Sequence, residues 1–268
     1  MTYEDLVSAI EKYGSTRYDI GRHSVGVPPE QVNENVIIAP SWEPRMFPDL
    51  GSATLLTSER ATIKVWEIDN DGEKYTYIKT GIGSPLVMEV ILGLGLTKCK
   101  RIVFIGSVGA LSADMAIGDF VIPEYSVCGD GASRYIKKPT LKNSDVFGEK
   151  AFPNKVFFDK AKIITDKICE ENNVPQHVGK NFSTDSIFAE YFHIDEIVAL
   201  GCNTIEMETA AGFEASAVAK IPMIALFSVS DNTFAGKSLT GGRTEDEMNR
   251  RKMIRKKLFP QIISNLFA

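Results

Sequence analysis

Arg101-Ile102-Val103-Phe104-Ile105 is a run of β-branched and aromatic residues followed at once by Gly106-Ser107-Val108-Gly109-Ala110. The first five residues have the length and composition of a strand buried on both faces. The next five read as a glycine-rich loop leaving its carboxyl end. Upstream, Thr80-Gly81-Ile82-Gly83-Ser84-Pro85 precedes an apolar helix expected from about Leu86 to Leu96, with Pro85 suited to its first turn. Before it, Thr62 to Ile68 and Lys74 to Lys79 form two strand patterns around the turn signal Asp69-Asn70-Asp71-Gly72, which predicts an antiparallel hairpin. An earlier strand is expected at Val36 to Ala39, stopped by Pro40.

Downstream, a strand is expected from Asp119 to Pro123 and a polar surface excursion from Ser126 to Pro153. Helix periodicity covers Asp159 to Glu170, and an alanine-rich helix is expected from Thr209 to Lys220. Pro222 to Ser230 reads as a buried strand. Thr244 to Leu266 reads as an amphipathic helix, capped by Thr244 with Glu247 and kinked or broken at Pro260. Strands and helices thus alternate, with a hairpin interposed. The pattern predicts an α/β fold, a three-layer α/β/α domain with a mixed central sheet over residues 36–268. Residues 1–35 are expected to be an N-terminal helix (2–13) followed by an irregular arm.

The chain has 268 residues, enough for a substantial core, and 35 acidic against 30 basic residues give a net charge of -5. No basic track suits nucleic acid. Four scattered cysteines and three histidines show no metal spacing, and no apolar run approaches membrane length. A cytoplasmic enzyme with reduced thiols is expected.

Three segments carry chemistry. In Ile205-Glu206-Met207-Glu208 the glutamates share a face if the segment is extended, and a carboxylate there can accept hydrogen bonds from a sugar diol. Equally, they can be acidic residues favoured at a helix start. Ser230-Asp231-Asn232 ends a buried strand, where α/β sheets bind ligands. A partly buried Asp231 can hold a proton for a leaving group, or simply cap its loop. The glycine-rich segments at Gly81–Ser84 and Gly106–Gly109 can present backbone N–H groups to an anion, but neither matches a nucleotide phosphate loop. Arg45, Arg60 and Arg243 are the basic candidates for an oxyanion, and each can equally be a surface charge.

Taken together, Gly81-Ile82-Gly83-Ser84-Pro85, Gly106-Ser107-Val108-Gly109-Ala110, Ile205-Glu206-Met207-Glu208-Thr209-Ala210-Ala211-Gly212 and Val229-Ser230-Asp231 resemble the nucleoside phosphorylase family. That family includes bacterial purine nucleoside phosphorylase, uridine phosphorylase and the methylthioadenosine nucleosidases. The resemblance runs from about Val36 to Phe267. It implies a central sheet of the nucleoside phosphorylase type, and cleavage of a nucleoside by phosphate into free base and pentose 1-phosphate. Inorganic phosphate would be the co-substrate, and no metal or organic cofactor would be needed. The expected assembly is a dimer-based hexamer with shared active sites.

By the same resemblance, Met207 lies under the ribose, Glu208 holds its hydroxyls and Glu206 sits beside them. Asp231 resembles the general acid for a purine, with Arg243 as its partner. Ser107, Arg45, Arg60 and Gly83 fall to phosphate, Arg60 being lent by the adjacent subunit. Phe188 or Ile187 resembles the apolar contact for the base, and His23 the histidine that reaches the neighbour's 5'-hydroxyl. Two departures stand out. Phe104 occupies the position of a phosphate arginine, and Pro40-Ser41-Trp42-Glu43-Pro44-Arg45 replaces a Gly-Asp-Pro arrangement. Glu43 sits where the nucleosidases carry a water-activating glutamate, so hydrolysis is the competing reaction, and an inactive nucleoside binder is a further one. Ala189-Glu190-Tyr191-Phe192-His193 lacks the glutamine and arginine of the uridine enzymes. Together with Asp231, that favours a purine over a uridine substrate.

Overall fold

The computed structural model describes all of residues 1–268. The chain opens with α1 (Tyr3–Glu11) and α2 (Arg17–Val25), then β1 (Asn35–Ile38), β2 (Ser52–Leu55), β3 (Lys64–Asn70) and β4 (Glu73–Lys79). Next come α3 (Ser84–Leu94), β5 (Arg101–Ala110), β6 (Phe120–Gly129), α4 (Arg134–Lys137), β7 (Lys150–Ala151) and α5 (Lys155–Glu171). The last part holds β8 (Gln176–Thr184), α6 (Ile187–Glu190), α7 (Ile194–Ala199), β9 (Thr204–Glu206), α8 (Thr209–Ala219), β10 (Met223–Asn232) and α9 (Glu245–Phe267).

All ten strands join one mixed sheet in the order β10-β6-β8-β9-β5-β1-β4-β3-β2, with β7 on β6. β10 also pairs with β5, so one end of the sheet closes on itself as a small barrel. The other end is the expected hairpin, β3 against β4, flanked by β2. Two apolar layers flank the sheet. On one face Val87, Ile91 and Leu94 of α3 and Ala211, Phe213 and Ala215 of α8 pack on Ile38, Phe104 and Phe227. On the other, Phe157 and Ala161 of α5 and Ile254, Leu258 and Ile262 of α9 pack on Ile37, Val103, Ile105, Ile224 and Leu226. The alternation along each strand sorts its side chains between these layers. The architecture is the three-layer α/β/α fold with a mixed sheet. No helix is long and apolar enough to cross a membrane.

Four elements differ from expectation. Residues 14–35 contain a helix, α2, started by Thr16 and Asp19, which bond each other's backbone N–H groups. Gly106–Ala110 is strand, not loop, because β10 and β9 supply its hydrogen-bond partners along the whole segment. The first residues of the expected surface excursion, Ser126 to Cys128, are the buried end of β6. Pro260 sits inside an uninterrupted α9, with Phe259 and Ile262 beside it fully buried. Packing of that face against the sheet outweighs the hydrogen bond that proline removes.

Candidate functional site

The carboxyl ends of β1, β5 and β10 meet the start of α8, and a cavity of about 210 Å³ opens there. Ser41, Ile82, Phe104, Ser107, Glu190, Met207, Glu208, Asp231 and Leu239 are among the residues that line it. A larger cavity of about 620 Å³ lies elsewhere, among α1, α2 and α3, and is lined mainly by aliphatic side chains. Its lining includes Glu89 and Asp185 but none of the glycine-rich, Glu-Met-Glu or Ser-Asp residues at the strand ends, so size alone does not mark the site.

The two glutamates of the Glu-Met-Glu segment do different work. Glu206 is buried, accepts from Ser183 Oγ and takes the backbone N–H groups of Glu208 and Thr209 at 2.7 and 2.8 Å. Its carboxylate therefore anchors the first turn of α8, the helix-start role. Glu208 accepts the Gly83 N–H at 2.8 Å and otherwise faces the cavity. Ser84 Oγ donates to the Met207 carbonyl at 2.9 Å, so the starts of α3 and α8 are tied twice. Burial, and then the negative charge of Glu206, push the Glu208 carboxyl up to about 8. The raised value matters because a group that still holds its proton can donate as well as accept.

Asp231 sits just past a register shift between β5 and β10, with its carboxylate bonded by Ser230 Oγ. The same hydroxyl bonds the Val108 carbonyl at 3.1 Å. Gly109 allows this approach, since a Cβ there would stand 3.0 Å from Asp231 Oδ2 and 3.1 Å from Ile205. Burial raises the Asp231 carboxyl above its ordinary range, opposed by the Ser230 hydrogen bond and by the charges of Arg243 and Arg251. Arg243 donates to the carbonyls of Ser230 and Leu239, which holds the loop beyond β10 against the cavity rim.

The structure brings Ser107, Ile187, Glu206, Met207, Glu208 and Asp231 to one cavity. Gly83 meets it through the Glu208 hydrogen bond. The other candidates lie outside it in this chain. Phe188 points to solvent, 95% exposed, while Ile187 beside it lines the wall. Arg45 is exposed and pairs with Glu43 at 3.1 Å. Arg60 lies exposed in the segment between β2 and β3, and His23 lies exposed on α2. Glu43 is held by Lys79 at 2.8 Å, and that contact keeps its carboxyl below the usual range.

Sequence reasoning did not single out Glu190, Phe227, Leu239 or Ile82. Glu190 is half-buried at the end of α6, and burial together with the charge of Asp231 lifts it to about 7. Nothing in the Ala189–His193 composition signals this, because α6 is only one turn long. Phe104 is fully buried and packs edge-on against Phe227 with ring centroids 5.8 Å apart. That pair makes an apolar wall. No lysine or arginine lines the cavity, whereas four carboxylates do.

Residues 52–263 match the family model described as Phosphorylase superfamily. The chain belongs to this superfamily. Among curated relatives, it is 26% identical over 204 residues to a guanosine phosphorylase of Halorubrum lacusprofundi, covering 75% of this chain and 78% of that one. It is 26% identical over 176 residues to a DeoD-type purine nucleoside phosphorylase of Lactococcus lactis, covering 63% and 68%. The fold matches that of uridine phosphorylase from Vibrio fischeri with a TM-score of 0.73 at 19% identity, over 91% of this chain and 94% of that chain. A Plasmodium knowlesi homologue of the P. falciparum purine nucleoside phosphorylase matches with 0.68, also at 19% identity and over 91% and 94%. In this member of the Phosphorylase superfamily, Glu208, Asp231 and Phe104 line one cavity.

Proposed function

We propose that the protein cleaves the N-glycosidic bond of a purine nucleoside, with inorganic phosphate taking the pentose as its 1-phosphate. The observation that carries this reading is the single cavity onto which Glu208 and Asp231 both open. Glu208 accepts the ribose hydroxyls over Met207. Asp231, whose carboxyl burial pushes above its ordinary range, is the acid of this reading: it gives a hydrogen bond and then a proton to the departing base, with Arg243 behind it. As the bond stretches, positive charge grows on the sugar and negative charge on the base. The phosphate anion beside the sugar stabilises the first, and a proton from Asp231 relieves the second. Phosphate attacks C1' next to Ser107, so the C–N bond breaks as the C–O bond forms.

Glu190 carries no hydrogen bond or ion pair to another side chain, and it faces the same base end. A carboxylate there favours a base that brings N–H donors. Ile187 supplies apolar contact. In the proposed dimer-based hexamer, His23 and Arg60 would act at a neighbouring copy's cavity and Arg45 at the rim. Hydrolysis is the competing reaction, and the state of Glu43 speaks against it. Glu43 is not among the residues that line the cavity, and its carboxylate is tied to Lys79 and Arg45 instead.

The test is a panel of nucleosides assayed for base release in the wild type and in Glu208→Gln and Asp231→Asn. Loss of purine nucleoside turnover in both variants, with folding intact, supports the reading. Wild-type turnover in both would remove it.

A further inference from the structure

Arg101, the first residue of β5, donates to the carbonyls of Leu266 and Phe267 at 3.3 and 2.7 Å. The end of α9 therefore lies at the start of the parallel strands. Its early turns lie at the opposite end, over the strand termini where the cavity opens. Arg255 stands 5.6 Å from the Trp42 ring centroid, next to Ser41. Arg251 lies within electrostatic reach of Asp231, Arg243 and Arg255.

The strands carry a matching set of hydroxyls. Ile37 and Ala39, Val103 and Ile105, and Ile224 and Leu226 all belong to the core that α9 fills. Two residues further on in β5 and β10, the same alternation reaches Ser107 and Ser228, and Ser41 lines the cavity just beyond the end of β1. Ser107 and Ser228 are register partners on adjacent strands. Ser228 Oγ is buried with no hydrogen-bond partner, and so is Nε of Arg251. Arg251 is only 9% exposed. Burial, then the charges of Arg255 and Arg243, pull its guanidinium down to about 10. Arg250 next to it is paired with Asp119, but Arg243, Arg251 and Arg255 form no ion pair. A buried guanidinium in that company is costly unless an anion completes it.

We propose that Arg251 and Arg255 hold inorganic phosphate against Ser41, Ser107 and Ser228, so that α9 supplies the positive charge absent at Phe104. The inference rests on the phosphorolytic reading above and names the residues that make it possible despite a cavity lining without cations. Guanidinium forks suit a tetrahedral oxyanion. The orphaned Ser228 hydroxyl and Arg251 N–H are the donors such an ion would use. Asp231 is the carboxylate facing these arginines, and one carboxylate against three guanidiniums leaves positive charge in excess.

The full-length protein is titrated with orthophosphate by calorimetry, and KM is measured separately for phosphate and for the nucleoside. Arg251→Gln, Arg255→Gln and Ser228→Ala are compared with Lys256→Gln, which removes one charge from the exposed side of the same helix. Each arginine variant is expected to weaken phosphate about ten- to a hundredfold, with the nucleoside KM within about threefold. Arg251→Lys should recover part of the loss, and Lys256→Gln should match the wild type. Urea midpoints establish that each variant is folded, and Ser228→Ala remains the readout where an arginine variant is not. Unchanged phosphate affinity in the folded variants overturns the subsite. So does a wild type that cleaves nucleosides but binds no phosphate, which leaves the glycosidic reading standing. A wild type that binds phosphate, loses it in the variants and cleaves no nucleoside upholds the subsite and overturns the proposed function instead.

Discussion

The backbone N–H of Gly83 donates to Glu208 Oε1 at 2.8 Å, across 125 residues of sequence. This bond joins the start of α3 to the start of α8 and fixes one oxygen of the carboxylate while the other faces the cavity. Gly83 has φ 115° and ψ 144°, a conformation that side chains avoid. A Cβ would meet only Pro85 Cδ at 3.9 Å, so Gly83→Ala is opposed by backbone strain and not by crowding. The variant is expected to lose about 1–3 kcal/mol of stability by urea denaturation. Its nucleoside KM should rise more than its phosphate KM, because Glu208 is displaced.

Glu208→Gln keeps the shape of the side chain and replaces its carboxyl with an amide that cannot ionise. If the ribose hydroxyls rest on Glu208, kcat/KM for a ribonucleoside should fall by about ten- to a hundredfold. A 2'-deoxynucleoside has less to lose, so the ribose-to-deoxyribose preference should shrink in the variant. Paired kinetics with the two sugars measure this directly. An unchanged preference would detach Glu208 from the diol.

Stability should depend on pH in an unusual direction for a protein with 35 acidic residues. Glu208 is raised to about 8 and Glu190 to about 7, both from 4.5, and burial raises Glu206 and Asp231 as well. Between about pH 5 and 8 the folded chain holds protons that the unfolded chain has released. The unfolding free energy therefore falls as pH rises through that window. Urea midpoints of the ligand-free protein should decline from pH 5 to 8, and Glu208→Gln should flatten the decline. A midpoint that climbs over this range contradicts the buried-acid description of the cavity.

Asp231→Asn is isosteric but cannot deliver a proton. A loss of about 10²–10⁴-fold in kcat is expected for ordinary purine nucleosides, the range for general acid catalysis. A 7-methylated purine nucleoside already carries a positive base and needs no proton to leave. The variant should cleave that substrate far closer to the wild-type rate. Equal losses on both substrates would argue for a positioning role at Asp231 instead.

Much of this was readable in the chain because local pattern and tertiary fate agree. The apolar runs at Val36, Arg101 and Pro222 became β1, β5 and β10, and Asp71-Gly72 closed the hairpin. The Thr244–Glu247 capping pair opens α9 as read. What escaped was decided by partners distant in sequence. Gly106–Ala110 is strand only because β10 and β9 lie alongside it, and glycine content alone argues for a loop. α2 is polar and glycine-containing, and it is held by close packing of Gly21 on Leu96. Pro260 reads as a break until the core that covers its neighbours is known. Within the site, Glu206, Met207, Glu208 and Asp231 stood out as a motif. Glu190 and Arg251 did not, since a lone charge on a helix gains meaning only from what it is buried against.

The most direct measurement is product analysis by ³¹P NMR of purine nucleoside incubated with the wild-type protein and inorganic phosphate, beside a phosphate-free control. The account predicts a pentose 1-phosphate resonance growing in step with free purine, and no release of base in the control. Free ribose formed at equal rates with and without phosphate, or intact nucleoside under both conditions, would contradict it.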